Sequence, residues 1–96
     1  MQRNEILKIL HEHRADLEKH GVKSLALFGS AVREEMTPRS DVDLLVEFAQ
    51  PVGLFEFLRL NFYLEELLGR RIDLVTPDAL KSQLRERILA EAIYAA

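Results

Sequence analysis

A complete amphipathic helix, expected over Leu54–Leu68, separates two strand-like runs, DVDLLVEF at Asp41–Phe48 and IDLV within Ile72–Val75. A connection that holds a whole helix is long enough for a crossover, so the two strands are expected to be parallel neighbours in one sheet. Pro51 and Gly53 close the first run, and Gly69 marks the end of the helix. The buried stripe of that helix is read as Leu54, Phe57, Leu58, Leu64 and Leu68. Phe55 and Phe62 lie seven residues apart, rotated from the stripe, and are expected to widen the core, an exposed partner-binding strip being their other use.

The remaining segments fit around this unit. Ile6, Leu7, Leu10 and Leu17 recur at helical spacing between Asn4 and His20, with Gly21 as the stop. Ser24–Phe28, SLALF, reads as a short buried strand followed at once by Gly29-Ser30 and a helical turn over Ala31–Glu35. Thr76-Pro77-Asp78 forms a helix entrance, and Leu80, Leu84 and Ile88 mark a last amphipathic helix. The expected fold is α/β, a small mixed three-stranded sheet with flanking helices, in one domain spanning residues 1–96.

This topology decides where chemistry can gather. If the first strand runs antiparallel to the second, its end at Gly29-Ser30 reaches the sheet edge where Asp41 and Asp43 begin the second strand and Asp73 begins the third. Residues i and i+2 of a strand share a face, so Asp41 and Asp43 project together while Val42 points away. Paired carboxylates suit a hard cation such as Mg²⁺, which takes oxygen ligands and keeps positions for water and phosphate. Asp73, at the same height on the next strand, would complete a two-metal arrangement for displacement at phosphorus. Gly29 allows a close backbone approach, and Ser30 opens a short helix whose free N–H groups favour an anion. No Gly-Lys-Ser/Thr follows, so this is not a Walker A loop, and phosphate charge would fall to metal and to arginines such as Arg33 or Arg39.

Composition narrows the function classes. The formal charge is −3, against broad binding to nucleic-acid backbones. There is no cysteine, which removes thiol nucleophiles and cysteine metal sites and fits a reducing cytoplasm. No stretch approaches the ~20 apolar residues of a membrane span. His11, His13 and His20 lack a second ligand pair at metal spacing and are assigned no role. Lys81, Arg85 and Arg87 are expected to form a solvated face, and Tyr63 and Tyr94 are without surroundings that would suggest a chemical use.

Gly29-Ser30, ten residues, then Asp41-Val42-Asp43, read as LFGSAVREEMTPRSDVDLLVEF, closely resembles the nucleotidyltransferase superfamily that includes DNA polymerase beta and kanamycin nucleotidyltransferase. More narrowly the chain is similar to the minimal nucleotidyltransferase, or MNT, domains, the antitoxin halves of HEPN/MNT toxin–antitoxin pairs. The resemblance extends through RRIDLVT around Asp73 to the closing LRERILAEAIY. It implies transfer of AMP from ATP to a tyrosine hydroxyl of a partner HEPN RNase, with two Mg²⁺ ions. Asp41 and Asp43 would hold the metals, Asp73 would be the third acidic ligand or the base, and Gly29, Ser30, Arg39 and Ser40 would bind the nucleotide. Many relatives place glycine after the arginine matching Arg33, where this chain has Glu34. Inhibition of the partner by binding alone, and nucleotidyl transfer to a small molecule, stay open beside this reading.

Overall fold

The computed structural model describes residues 1–95. Its elements are α1 (Arg3–Glu12), α2 (Arg14–Lys19), β1 (Val22–Phe28), β2 (Val42–Phe48), α3 (Leu54–Leu68), β3 (Ile72–Val75), α4 (Ser82–Glu91) and β4 (Ile93–Tyr94), with 3₁₀ turns at Gly29–Ala31 and Pro77–Ala79. The sheet order is β3-β2-β1-β4. As expected, β2 and β3 are parallel, and β1 runs antiparallel to β2. The sheet has four strands rather than three, because the chain returns after α4 to pair β4 antiparallel with β1.

Alternation along the strands divides the apolar residues between two faces. Leu25 and Leu27 of β1, Val42, Leu44 and Val46 of β2, and Ile72 and Leu74 of β3 join Ile6, Leu10, Leu17, Leu60, Leu64 and Leu68 in the main core. Helices α1, α2 and α3 therefore cover this face. The other face carries a thinner layer, in which Ala26, Phe28 and Leu45 meet Val75, Leu80, Ile88 and Ala92. No residue of α4 is fully buried, so this helix covers its face only in part.

Four sequence expectations change. The first helix breaks at His13, whose N–H is shared between the carbonyls of Ile9 and Leu10, giving α1 and α2. On α3 the buried residues are Leu60, Leu64 and Leu68, whereas Leu54 and Leu58 point outward. Phe55 and Phe62 do not widen the core, being 82% and 62% exposed. So many positions of α3 are apolar that period alone cannot select its buried side; the i+4 row nearest β2 and β3 does. The last helix starts at Ser82 after the 3₁₀ turn, with Leu84 exposed and Arg85 half-buried.

Candidate active site

Strand register brings the candidates together. Asp43 pairs with Phe28 of β1 on one side and with Asp73 of β3 on the other. Alternation turns Asp43 and Asp73 away from the main core, onto the face that α4 covers incompletely. Asp41 lies one residue before β2 and is exposed, as is Asp73, while Asp43 is half-buried. Gly29 follows β1 directly and stands over Asp43.

Gly29 has a φ of +75°, and a Cβ there would fall inside the contact envelope of Asp43 Oδ2, 3.0 Å from its Cγ and 3.2 Å from its Cβ. Backbone and carboxylate can approach this closely only because the side chain is missing. Ser30 is half-buried, and its carbonyl accepts the Glu35 N–H at 2.8 Å. The expected helix over Ala31–Glu35 is reduced to a 3₁₀ turn at Gly29–Ala31 and further turns.

Electrostatics sets Asp43 apart. Its carboxyl is pushed up from 3.8 to about 6, chiefly by burial, then by the charge of Asp73, a hydrogen-bonding approach from Asp73 and the charge of Asp41, with Arg33 opposing the rise. Among the described residues no ion pair reaches Asp41, Asp43 or Asp73. Nor do three acidic or histidine side chains already form a ligating cluster. The arrangement is a repelled pair, Asp43 and Asp73, with Asp41 at electrostatic range. Such a donor set fits a hard divalent cation, which would relieve the repulsion and draw Asp41 inward.

This strain has a measurable sign. The folded protein holds the Asp43 proton more tightly than the unfolded chain, so between about pH 4 and 6 folding takes up a proton and stability falls as pH rises. The metal-free protein should therefore melt about 2–4 °C higher at pH 5.5 than at pH 7.5, or about 0.5 kcal/mol once solvent screening is allowed for. Asp43→Asn should raise the melting temperature at pH 7.5 and flatten this dependence. Thermal melts across that range, in a chelator, check both.

The arginines divide differently from the sequence expectation. Arg33 is committed, with Nε to Glu35 Oε1 at 2.7 Å and Nη1 to Glu91 Oε1 at 3.0 Å. Arg39 is exposed on the Thr37–Ser40 turn. The Ser40 hydroxyl accepts the Thr37 N–H at 2.9 Å, a local bond that shapes this turn. Arg70, which sequence reasoning passed over, donates to the carbonyls of Thr37 and Ser40, both at 2.8 Å, and fastens the segment leading into Asp41 to the start of β3. Among the described residues Asp73 forms no ion pair with the neighbouring Arg70 or Arg71. Glu91 was also missed; it accepts the Gly29 N–H at 2.7 Å across 62 residues of sequence, and no local signal could have found it.

Glu34 has a φ of +57°. The left-handed conformation costs a non-glycine residue roughly 1–2 kcal/mol. Arg3 holds this turn by donating to the Val32 carbonyl at 3.0 Å and by pairing with Glu34 at 3.7 Å. Glu34→Gly should thus stabilise the fold by about 0.5–1 kcal/mol, after the greater chain entropy of glycine is counted. A rise of a few degrees in melting temperature checks it, and a fall would mean that the Arg3 pair outweighs the backbone cost.

The histidines act locally: His13 Nδ1 lies 2.8 Å from the Ile9 carbonyl, and His20 packs on the Tyr63 ring at 4.9 Å. A concavity of ≈ 640 Å³, lined by residues including Phe48, Val52, Phe57, Thr76 and Asp78, opens at the opposite end of β2 and β3. None of the candidate residues lines it. Position and charge favour the aspartate edge over this groove.

Residues 4–95 match the nucleotidyltransferase domain family model. The chain is 45% identical over 91 residues to the protein adenylyltransferase MntA of Thermococcus cleftensis, covering 94% of this chain and 92% of that protein. A solved structure provisionally described as a minimal nucleotidyltransferase superposes with a TM-score of 0.84 at 36% identity, covering 97% of this chain and 95% of the other. The fold also matches a chain from the complex of tri-AMPylated Shewanella oneidensis HEPN toxin with MNT antitoxin, with a TM-score of 0.66 at 17% identity, over 94% of this chain and 71% of that one.

Proposed function

The chain belongs to the nucleotidyltransferase domain family and is of its minimal, MNT type, and on that premise we propose that it transfers AMP from ATP to a tyrosine hydroxyl of a HEPN-type partner protein in the cytoplasm. The observation that carries this reading is the pairing of Asp43 with Asp73 across β2 and β3, beside a glycine that leaves Asp43 uncovered. In the reaction the tyrosine oxygen bonds to the α-phosphorus, the bond from that phosphorus to the bridging oxygen breaks, and pyrophosphate leaves. Asp41 and Asp43 would hold the divalent metal, and Asp73 would be the third oxygen ligand or the base that takes the hydroxyl proton. Bound Mg²⁺, two ions in this reading, would neutralise the phosphate oxygens. Gly29 and Ser30 hold the triphosphate, and Arg39, exposed beside Asp41, reaches its phosphates; Ser40 keeps that turn in shape.

Two features support a protein acceptor. Asp41 and Asp73 are exposed at the aspartate edge, where a side chain of a docked protein can reach them. In addition, Leu54, Phe55 and Phe62 form an exposed apolar strip along α3, 72%, 82% and 62% exposed, of the kind that marks a protein contact. The same strip favours a second reading, in which binding alone silences the partner. No helix is long and apolar enough to cross a membrane among the described residues.

Position-labelled ATP tests the transfer. With Mg²⁺ and the HEPN-type partner, label at the α-phosphate should appear on the partner and label at the γ-phosphate should not. Transfer of the γ-label, or no label on a partner shown to be bound, overturns the proposal.

A further inference from the structure

Strand β4 ends the β1 ladder early. Ala26 pairs with Tyr94 and Leu27 with Ile93, and the same antiparallel register carried two steps further sets Gly29 opposite Glu91. Glu91 is the last residue of α4, so its backbone is helical there and cannot continue the ladder. Its side chain does so instead. Oε1 accepts the Gly29 N–H at 2.7 Å and the Arg33 Nη1 at 3.0 Å, and Oε2 lies 3.2 Å from the same Arg33 nitrogen. One carboxylate thereby ties the two ends of the Gly29–Arg33 turn to the C-terminal segment. The Glu91 side chain is 25% exposed, against 51% for Arg33, so the tie is partly shielded from water.

The direction of this bond matters. Gly29 N–H points toward β4, away from β2, and Asp43 lies on the β2 side of the turn. Glu91 therefore grips the turn from behind and leaves the face toward Asp43 free.

We propose that Glu91 is the positioning residue of the nucleotide turn, holding Gly29 and Ser30 at the height where they receive the triphosphate beside Asp43. This rests on the nucleotidyl-transfer reading. Glu91 touches neither nucleotide nor acceptor; it acts through Gly29 and Arg33. Losing a charge-assisted hydrogen bond that holds a binding turn lowers affinity by about tenfold or more. Because the turn binds the phosphates alike in the ground and transition states, its loss should appear in KM and not in kcat.

The test compares the wild-type protein with Glu91→Ala and Glu91→Gln in two assays. In AMP transfer, Glu91→Ala should raise KM for ATP about tenfold or more with kcat within threefold. Glu91→Gln, which keeps an oxygen to accept the Gly29 N–H, should stay within about threefold of wild type. In amide hydrogen exchange by NMR, with no nucleotide present, the Gly29 N–H should exchange at least about tenfold faster in Glu91→Ala and near the wild-type rate in Glu91→Gln. A lower KM in Glu91→Ala would overturn the proposal, because Glu91 would then compete with phosphate. An unchanged KM, or a fall in kcat alone, would also overturn it, as would an unchanged Gly29 exchange rate. If the wild-type protein transfers no AMP, the functional reading fails, and the exchange assay still decides whether Glu91 holds the turn.

Discussion

Replacing Asp41 and Asp43 together by alanine is expected to lower AMP transfer by about 10³-fold or more while the fold survives intact. Metal stabilisation of phosphoryl oxygens is worth several kcal/mol, and each 1.36 kcal/mol is tenfold in rate. Neither side chain supports the core: Asp41 is exposed before β2, and Asp43 points to the incompletely covered face. The melting temperature should hold or rise, since the substitutions remove the charges that crowd Asp73. Loss of function with gain of stability is the signature of a site that stores electrostatic strain for a ligand. The same variant separates the two modes of partner control. If AMP transfer silences the partner, the double variant fails to protect against it; if binding suffices, protection persists although transfer is gone.

Gly29→Ala is expected to be the most damaging single methyl in the chain. A left-handed φ costs alanine roughly 1–2 kcal/mol, and forcing a Cβ against a packed group adds about 1–3 kcal/mol. The sum, about 2–5 kcal/mol, corresponds to a fall of about 10 °C or more in melting temperature for a domain of this size. The clash falls on Asp43 itself, so AMP transfer should be lost even in the fraction that remains folded. Combining Gly29→Ala with Asp43→Ala removes the carboxylate that the methyl meets and should recover part of the stability, leaving the backbone cost. A double-mutant cycle by thermal or urea denaturation reads this coupling, and additivity would place the new methyl elsewhere.

Much of the site was legible because strand geometry is periodic. A helix between β2 and β3 made those strands parallel, which put Asp43 and Asp73 at one edge; the direction of β1 stayed conditional in the sequence, and its antiparallel pairing with β2 brings Gly29 to the same edge. The acceptor and the nucleotide came from family resemblance and not from spacing. What escaped was either too short or too distant to leave a pattern. Two residues, Ile93 and Tyr94, have no readable period, yet they form β4 and complete the sheet. On α3, Leu54, Phe55 and Phe62 resemble core residues in sequence, and only the position of the helix over the sheet leaves them outside. Glu91 reaches Gly29 only after the whole domain has folded. Glu34 adopts a positive φ that its residue type does not announce.

Intact-mass spectrometry of the HEPN-type partner, incubated with this protein, ATP and Mg²⁺, tests most directly the proposed transfer of AMP at the Asp41–Asp43–Asp73 edge. The partner should gain the mass of one or more AMP units, a gain abolished by chelator and by the Asp41→Ala/Asp43→Ala variant. A partner that binds this protein yet keeps its original mass, or gains AMP equally with the double variant, contradicts it.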